Sequence, residues 1–533
     1  MRKSRFLWAL CLPAACLSQS FSGETFNEEL AIRALPDGKV ASRFEFSTLL
    51  HGASPRNPRN LSSEDDSQHY TLFPLALGQI LRQYAVTELH LTLNAGKWNY
   101  DRWGYPDEPD VATGASMWTW MAEGSPVPRH SVDARWRDLR NALAGLFCAS
   151  LASLDEQRTT SPVLAFVPQG ALPAWPQTEP HALRHASLPS EHVCTENLTP
   201  FLKLLPCKSR AGLARLLNPH RLLDADWHGM GLHVSWLPEE GVRVRLTFQS
   251  VTDPLRAGNT RDWSLSSLFD RKIEAACPVA ASSRVVVALP TDESYSIRPE
   301  PSFVGQGRGI FDLAAQPLPL DVGLHWPTAF QYATLPTAQS PLSVRRTLHG
   351  SSQDHSTLAV SIKNAGPAAV RVAYLETLPW IVHLYLHTLE LSVDGVPRAD
   401  LLRDLSYTAP VPHGRAAALE AVLELPPNST VSLRLGVGRA FLQYGEHPPD
   451  AQRGWELPAA VVVVLPEHPG NDSQRRVYTS ALLVDPATPD FSMPYNVIIF
   501  SCSLVAFIFG SVFNGLTRRF IVVAAREPGL QAE

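Results

Sequence analysis

The feature that most constrains this chain lies near its C-terminus, where no charged residue occurs between Asp490 and Arg518. The run from about Tyr495 to Leu516 is long enough to cross ~30 Å of hydrocarbon as one helix. Arg518 and Arg519 follow at once and Arg526 lies further on, so the positive-inside rule puts the short tail in the cytosol. Tails removed in favour of a lipid anchor end in apolar residues. This one continues as a mixed stretch to Glu533, so the span is expected to be kept. At the other end, Arg2, Lys3 and Arg5 precede an apolar run from Phe6 to Leu17, and Ser18 and Ser20 offer a cleavage point. That is the pattern of a secretory signal, too short to span a bilayer. A signal at 1–20, a transmembrane helix at 490–517 and a cytosolic tail at 518–533 make a single-pass type I protein with its bulk in the lumen.

An oxidising, glycosylating lumen changes how the cysteines read. Cys11 and Cys16 fall in the signal and Cys502 in the span, leaving Cys148, Cys194, Cys207 and Cys277. Four thiols allow three connectivities as two internal bridges, and spacing does not choose among them. No CxxC pair occurs, so no metal or thioredoxin-like site is expected. The densest stretch, LPSEHVCTENLTPFLKLLPC from Leu188 to Cys207, combines two of these cysteines with a sequon at Asn197. Further sequons stand at Asn60, Asn428 and Asn471, each marking a surface position if glycosylated.

With a net charge of −5 the chain has no basic footprint for nucleic acid. Its 533 residues, 45% hydrophobic, have room for two or three domains with sizeable cores. The 45 prolines and 31 glycines against five methionines favour turns and strands over long helices. Alternation predicts half-buried strands from Lys39 to Phe46, from Leu89 to Leu93 (with His90 and Thr92 on the opposite face) and from Val242 to Phe248. Leu77, Ile80, Leu81 and Tyr84 recur at helical spacing after Pro74. A second helix is expected from Ser131, with Val132, Trp136, Leu139 and Leu143 on one stripe and Gly145 as its C-terminal cap.

From about Arg298 to Leu342 the chain is rich in Pro and Gly with little periodicity, and reads as a connector. Beyond it, Tyr385, His387, Leu389, Leu391 and Val393 share one face before an Asp394-Gly395 turn. Val431, Leu433 and Leu435 alternate, and Val461 to Leu465 reads as a strand buried on both sides. The expected architecture is mainly β with some α. It comprises an N-terminal luminal α+β domain at 21–297, a connector at 298–342, a β-sandwich-like luminal domain at 343–489 and the single C-terminal transmembrane helix.

Catalytic signatures do not stand out. HExxH and G-x-S-x-G are missing, and Gly305, Gly307 and Gly309 have the wrong spacing for a phosphate loop. His383 and His387 could share a metal, but the alternation around them says sheet and no third ligand is apparent. His192 and Cys194 could stand as base and nucleophile, yet nothing nearby supplies the glycines of an oxyanion loop. Within the span, Asn496 and Asn514 near its two ends are expected to face other helices or a polar headgroup.

Seven segments, in order, carry a further signal. They are HYTLFPLALGQILRQYAVTELHLTL from His69, KWNYDRWG from Lys97, GLFCASL from Gly145, VCTENLTPFLKLLPC from Val193, DWSLSSLF from Asp262, LPWIVHLYLHTL from Leu378 and TPDFSMPYNV from Thr488. Together they resemble the PIG-T family, the luminal scaffold subunit of the GPI transamidase. The resemblance implies a glycosylated, type I protein of the endoplasmic reticulum membrane that is not itself catalytic and needs no cofactor. Such a protein holds a caspase-like cysteine protease subunit through an inter-chain disulfide and contacts the other membrane subunits. The complex cleaves a C-terminal signal from a proprotein and transfers the new C-terminus to the ethanolamine of a GPI lipid.

In the family the cysteine of VCTENLTP carries the inter-chain bond, which maps to Cys194. With Cys194 committed outward, Cys207 and Cys277 are the candidates for an internal bridge, and Cys148 is left as a buried thiol. TPDFSMPYNV implies that Asp490, Tyr495, Asn496 and Asn514 lie near the GPI headgroup or neighbouring spans. The alternative reading is a luminal hydrolase or glycan-processing enzyme anchored by one span.

Overall fold

The computed structural model describes residues 23–63, 69–125, 127–176, 180–258, 260–290, 294–331, 340–350, 352, 354–447, 453–466, 475–487, 492–519, 521 and 523. The expected signal at 1–20, the sequon at Asn471, Asp490 and most of the expected tail lie outside them. The chain divides into two compact units, Met1–Ala440 with Trp455–Val484, and Phe441–Gly454 with Asp485–Glu533.

An 11-stranded sheet dominates the first unit. From edge to edge it runs Phe303–Gly305, Arg308–Asp312, Ser282–Ala288, Glu24–Ala34, Val40–His51, Gly241–Thr252, Trp227–Leu237, Glu88–Ala95, Gly114–Ala122, His181–Leu188 and Thr159–Thr160. Every pairing is antiparallel except Glu24–Ala34 with Ser282–Ala288. Alternation sets one apolar face: Leu30, Phe44, Phe46, Leu89, Leu93, Leu232, Leu246 and Phe248 all enter a single core. The helices Leu75–Gln83, Val132–Phe147 and Thr195–Leu204 cover that face with Leu77, Trp136, Leu139, Leu143, Leu198 and Phe201. Fully burying one such Leu or Phe side chain contributes about 1.5–3 kcal/mol. Ser131 caps the Val132–Phe147 helix through the Ala134 amide at 3.3 Å. Its end departs from expectation. Gly145 lies inside the helix, and Cys148 takes the left-handed cap at φ 52°.

The opposite face of the sheet is also buried. His90 and Thr92 are 2% and 4% exposed, because the loop at Gln169 and Gly170 and the C-terminal strand Arg476–Tyr478 close over this part of the sheet. The stretch 298–342 departs from the expected connector. It supplies the last two strands at one edge of the large sheet, while Gly323–His325 joins Ser296–Arg298 and Trp263–Ser264 in a small sheet of three strands. Phe311, Leu320, Val322, Leu324 and Trp326 are buried in the same core. Strands of three to five residues are too short for alternation to register.

The C-terminal part of this unit contains two five-stranded sheets. One holds Leu342–His349, His355–Asn364, Ser429–Arg439, Val382–Val393 and Val396–Pro397; the other holds Leu402–Thr408, Ala417–Leu425, Val370–Leu378, Val461–Val464 and Arg476–Tyr478. They face each other across a buried ion pair, Arg346 to Glu376 at 2.6 Å. The expected common face from Tyr385 to Val393 is interrupted. A bulge between Tyr385 and Glu390 shifts the register, so Val382 and Leu384 are buried before it and Leu391 after it. Tyr385 and His387 point outward.

In the second unit the helix Ser492–Thr517 contains the apolar segment Tyr495–Thr517 of 23 residues. At 1.5 Å per residue it reaches about 34 Å, enough for a bilayer core. Tyr495, Asn496 and Asn514 are exposed on it.

Candidate functional site

The Leu188-to-Cys207 segment folds as strand, loop and helix. Gly114, at φ 88°, lets the loop start close against the neighbouring strand; a Cβ there would lie 2.3 Å from the Leu188 carbonyl oxygen. Val193, Leu198 and Phe201 anchor the segment in the core, and Phe201 meets Phe46 edge-on at 6.4 Å. These anchors leave Cys194 exposed at the N-cap of the Thr195–Leu204 helix.

Asn197 is the keystone of this corner. Its side-chain oxygen accepts from the Cys194 amide at 2.8 Å, while its NH2 donates to the carbonyls of Phe147 and Cys148 at 2.8 and 3.2 Å. The residue is fully buried, so this sequon is not a surface position in the folded chain. A glycan needs the nitrogen that Asn197 already uses twice. Asn60 and Asn428 are exposed.

Glu191 accepts from the Ser150 amide at 3.0 Å, so the turn bearing Cys148 and the loop bearing Cys194 are tied together twice. Cys148 is exposed, not buried, because the helix ends there with its backbone in the left-handed cap. Cys207 and Cys277 are bonded to each other across a sequence separation of 70, with Cα atoms 5.9 Å apart. Among the described residues Cys148, Cys194 and Cys502 are free. His192 donates to the Asn94 carbonyl at 3.2 Å, and no hydrogen bond joins it to Cys194. A base-activated thiol is therefore not assembled here.

A second constellation was not legible in the sequence. His90, Asp110 and His233 converge, with their ligand atoms within 4.8 Å of one another and all three buried. The donors are already engaged. His90 and His233 share a hydrogen bond between their Nδ1 atoms at 2.9 Å, and His90 Nε2 meets Glu88 at 3.0 Å. Asp110 Oδ1 accepts from Arg476 at 2.7 Å and from the Tyr478 hydroxyl at 2.8 Å. The Arg476 guanidinium also lies over Trp118 and Phe166, and His90 stacks on Trp118. A cation would have to displace that guanidinium.

Burial pushes the Asp110 carboxyl up, but Arg476, with His90 and His233, outweighs it and holds the group well below the carboxylate range. Burial also lowers His233 to about 4, against Glu108, so it stays neutral at pH 7. The cluster is a polar seam joining the large sheet to the C-terminal strands, since Tyr478 also donates its amide to the Tyr100 hydroxyl at 3.0 Å. Glu420 reinforces it, accepting from the Val163 and Leu164 amides at 2.8 and 3.0 Å.

Fold and site together define a β-rich protein with, among the described residues, one span-length helix, a buried ionic seam between its sheets and an exposed thiol at a helix N-terminus. The profile of the family described as Gpi16 subunit, GPI transamidase component, matches residues 8–256 and 247–532. The chain belongs to that family. It is 33% identical over 560 residues to the GPI-anchor transamidase component PIGT of Homo sapiens, covering 95% of this chain and 92% of that protein. It is 29% identical over 547 residues to the GPI transamidase component GPI16 of Saccharomyces cerevisiae, covering 93% and 89%. The PIG-T homolog of Schizosaccharomyces pombe is 30% identical over 541 residues, covering 97% and 94%.

Proposed function

We propose that this chain is a non-catalytic subunit of the GPI transamidase in the endoplasmic reticulum membrane. It holds a caspase-like catalytic subunit through a disulfide from Cys194. Its membrane helix, through Tyr495, Asn496 and Asn514 with Asp490 just before it, meets the GPI lipid and the other membrane subunits. The observation that carries this reading is Cys194 itself: exposed and free at a braced helix N-terminus, within a chain of the Gpi16 family. Tight bracing of the backbone suits a thiol that must meet a fixed partner, because little further ordering is needed on docking. The engagement of His192 with the Asn94 carbonyl instead of Cys194 supports a tether over a nucleophile.

Cys194→Ser tests the proposal. The parent complex is expected to show a higher-mass, reductant-sensitive band on a non-reducing gel, and the variant is expected to lose it. Retention of the band in Cys194→Ser contradicts the assignment. Peptidase turnover by the purified chain alone contradicts the non-catalytic role.

A further inference from the structure

Glu28, on the strand Glu24–Ala34, is 2% exposed and uses only half of its carboxyl. Oε1 accepts from the Ser283 hydroxyl and from the Leu213 amide at 3.1 Å, whereas the buried Oε2 accepts no hydrogen bond among the described residues. Charged side chains on the neighbouring elements are paired elsewhere. Glu29 takes Arg43 and Arg284 on the other face of the sheet, and Arg215 takes Glu274. A carboxyl buried in this way is costly to ionise, so its place calls for an explanation.

The residue next to it supplies one. Gly212 adopts φ 71°, and a Cβ there would lie 2.4 and 2.6 Å from the two Glu28 oxygens and 2.8 Å from the Cys277 Cβ. The carboxyl and the Cys207–Cys277 bridge therefore meet across a bare glycine. The nearer oxygen is within about 5 Å of the Cys277 Cβ, and so within about 7 Å of its sulfur. The Gly212 amide fixes this approach by donating to the Ala275 carbonyl at 2.8 Å. The two cysteines differ in access. Cys277 is 4% exposed, while Cys207 is half-buried and leads into an exposed turn bearing Lys208 and Arg210. A small thiolate, drawn by those two cations, meets Cys207 first.

In such an attack the thiolate bonds to Cys207 Sγ, the S–S bond breaks, and its electron pair leaves on Cys277 Sγ. The negative charge thus forms on the sulfur beside Glu28. An ionised carboxylate within about 7 Å raises a thiol pKa by roughly a unit or more, which makes the sulfur a poorer leaving group. A neutral carboxyl does not. We propose that Glu28 gates the Cys207–Cys277 bridge: its charge locks the bridge against exchange with thiols, and its protonation releases the lock. Burial raises Glu28 to about 7, so the gate works near neutrality. This inference goes beyond the transamidase reading and does not rest on it.

The test is the rate at which dithiothreitol opens the bridge in the full chain in detergent. Alkylation and peptide mass mapping time the reaction, and each rate is divided by the reagent's thiolate fraction. From about pH 6 to pH 8 the normalised rate in the parent is expected to fall by about fivefold. In Glu28→Gln, which keeps the shape without the charge, it is expected to stay level. A carboxylate that only strains the fold gives the opposite sign, because loosening on ionisation exposes the bridge and speeds attack at higher pH. A parent rate that is level or rising, or an equal fall in Glu28→Gln, overturns the proposal.

Discussion

Replacing Asp110 with Asn probes the seam between the large sheet and the C-terminal strands of the first unit with little change of shape. Asp110 and Arg476 are 3% and 2% exposed, and their contact of 2.7 Å joins the large sheet to the strand Arg476–Tyr478. The variant leaves the Arg476 charge buried with no carboxylate against it. Breaking a buried pair from one side costs about 3–5 kcal/mol, because the penalty is the stranded charge and not the worth of the pair. An amide oxygen in the Oδ1 position still accepts from Tyr478 and Arg476, but the amide NH2 then faces the Trp118 indole N–H, so one weak hydrogen bond is lost along with the charge. Asp110→Leu combined with Arg476→Met removes both charges and is expected to recover most of that loss.

Chemical unfolding followed by tryptophan fluorescence reads both variants, with Trp118 beside the pair. The pH dependence gives an independent check. Asp110 has a depressed folded-state pKa, so its contribution is complete above the ordinary carboxylate range and is lost as pH falls below it. The parent should therefore lose stability on acidification below about pH 4 more steeply than Asp110→Asn. A loss under about 1 kcal/mol in the single variant, or a double variant no better than the single, refutes the reasoning.

Glu28 runs the other way. Burial raises its pKa to about 7 despite bonds from Ser283 and the Leu213 amide, so it favours the fold when protonated. Stability from this group is full below the unfolded value near 4.5 and is lost as pH rises to about 7. Glu28→Gln is expected to gain up to about 3 kcal/mol at pH 8 over the parent and to flatten that slope; an unchanged slope rejects the assignment. Peptide mass mapping after glycosidase treatment should find carbohydrate, where used, at the exposed Asn60 or Asn428 and none at the buried Asn197. A glycan on Asn197 in folded protein contradicts the corner geometry. Gly114→Ala should destabilise the chain by about 2 kcal/mol or more, since φ 88° and a 2.3 Å clash with Leu188 oppose a side chain there. A variant that melts like the parent removes the argument for that turn.

Long alternating segments were legible in the sequence because both period and burial agree. Val40–His51 and Gly241–Thr252 are strands in which the expected residues point inward. What failed did so where the signal is short or non-local. The strands between 298 and 342 are three to five residues long, so prolines and glycines at their turns dominated the pattern. The helix cap moved from Gly145 to Cys148 because a non-glycine residue can hold the left-handed turn when its carbonyl is bonded, here by Asn197. The burial of Asn197 is likewise a tertiary fact: a sequon says nothing of whether its amide is engaged elsewhere. Cysteine spacing left three pairings equal, and only the fold brings Cys207 beside Cys277. The Asp110–Arg476 seam joins residues 366 apart, beyond any local pattern.

The central claim concerns the partner of one sulfur. Native complex isolated in mild detergent, alkylated without reduction and digested, should yield a peptide containing Cys194 joined to a cysteine of a second polypeptide, with Cys207 joined to Cys277. Recovery of Cys194 bound to another cysteine of this same chain, or as an alkylated free thiol in the intact complex, contradicts the account.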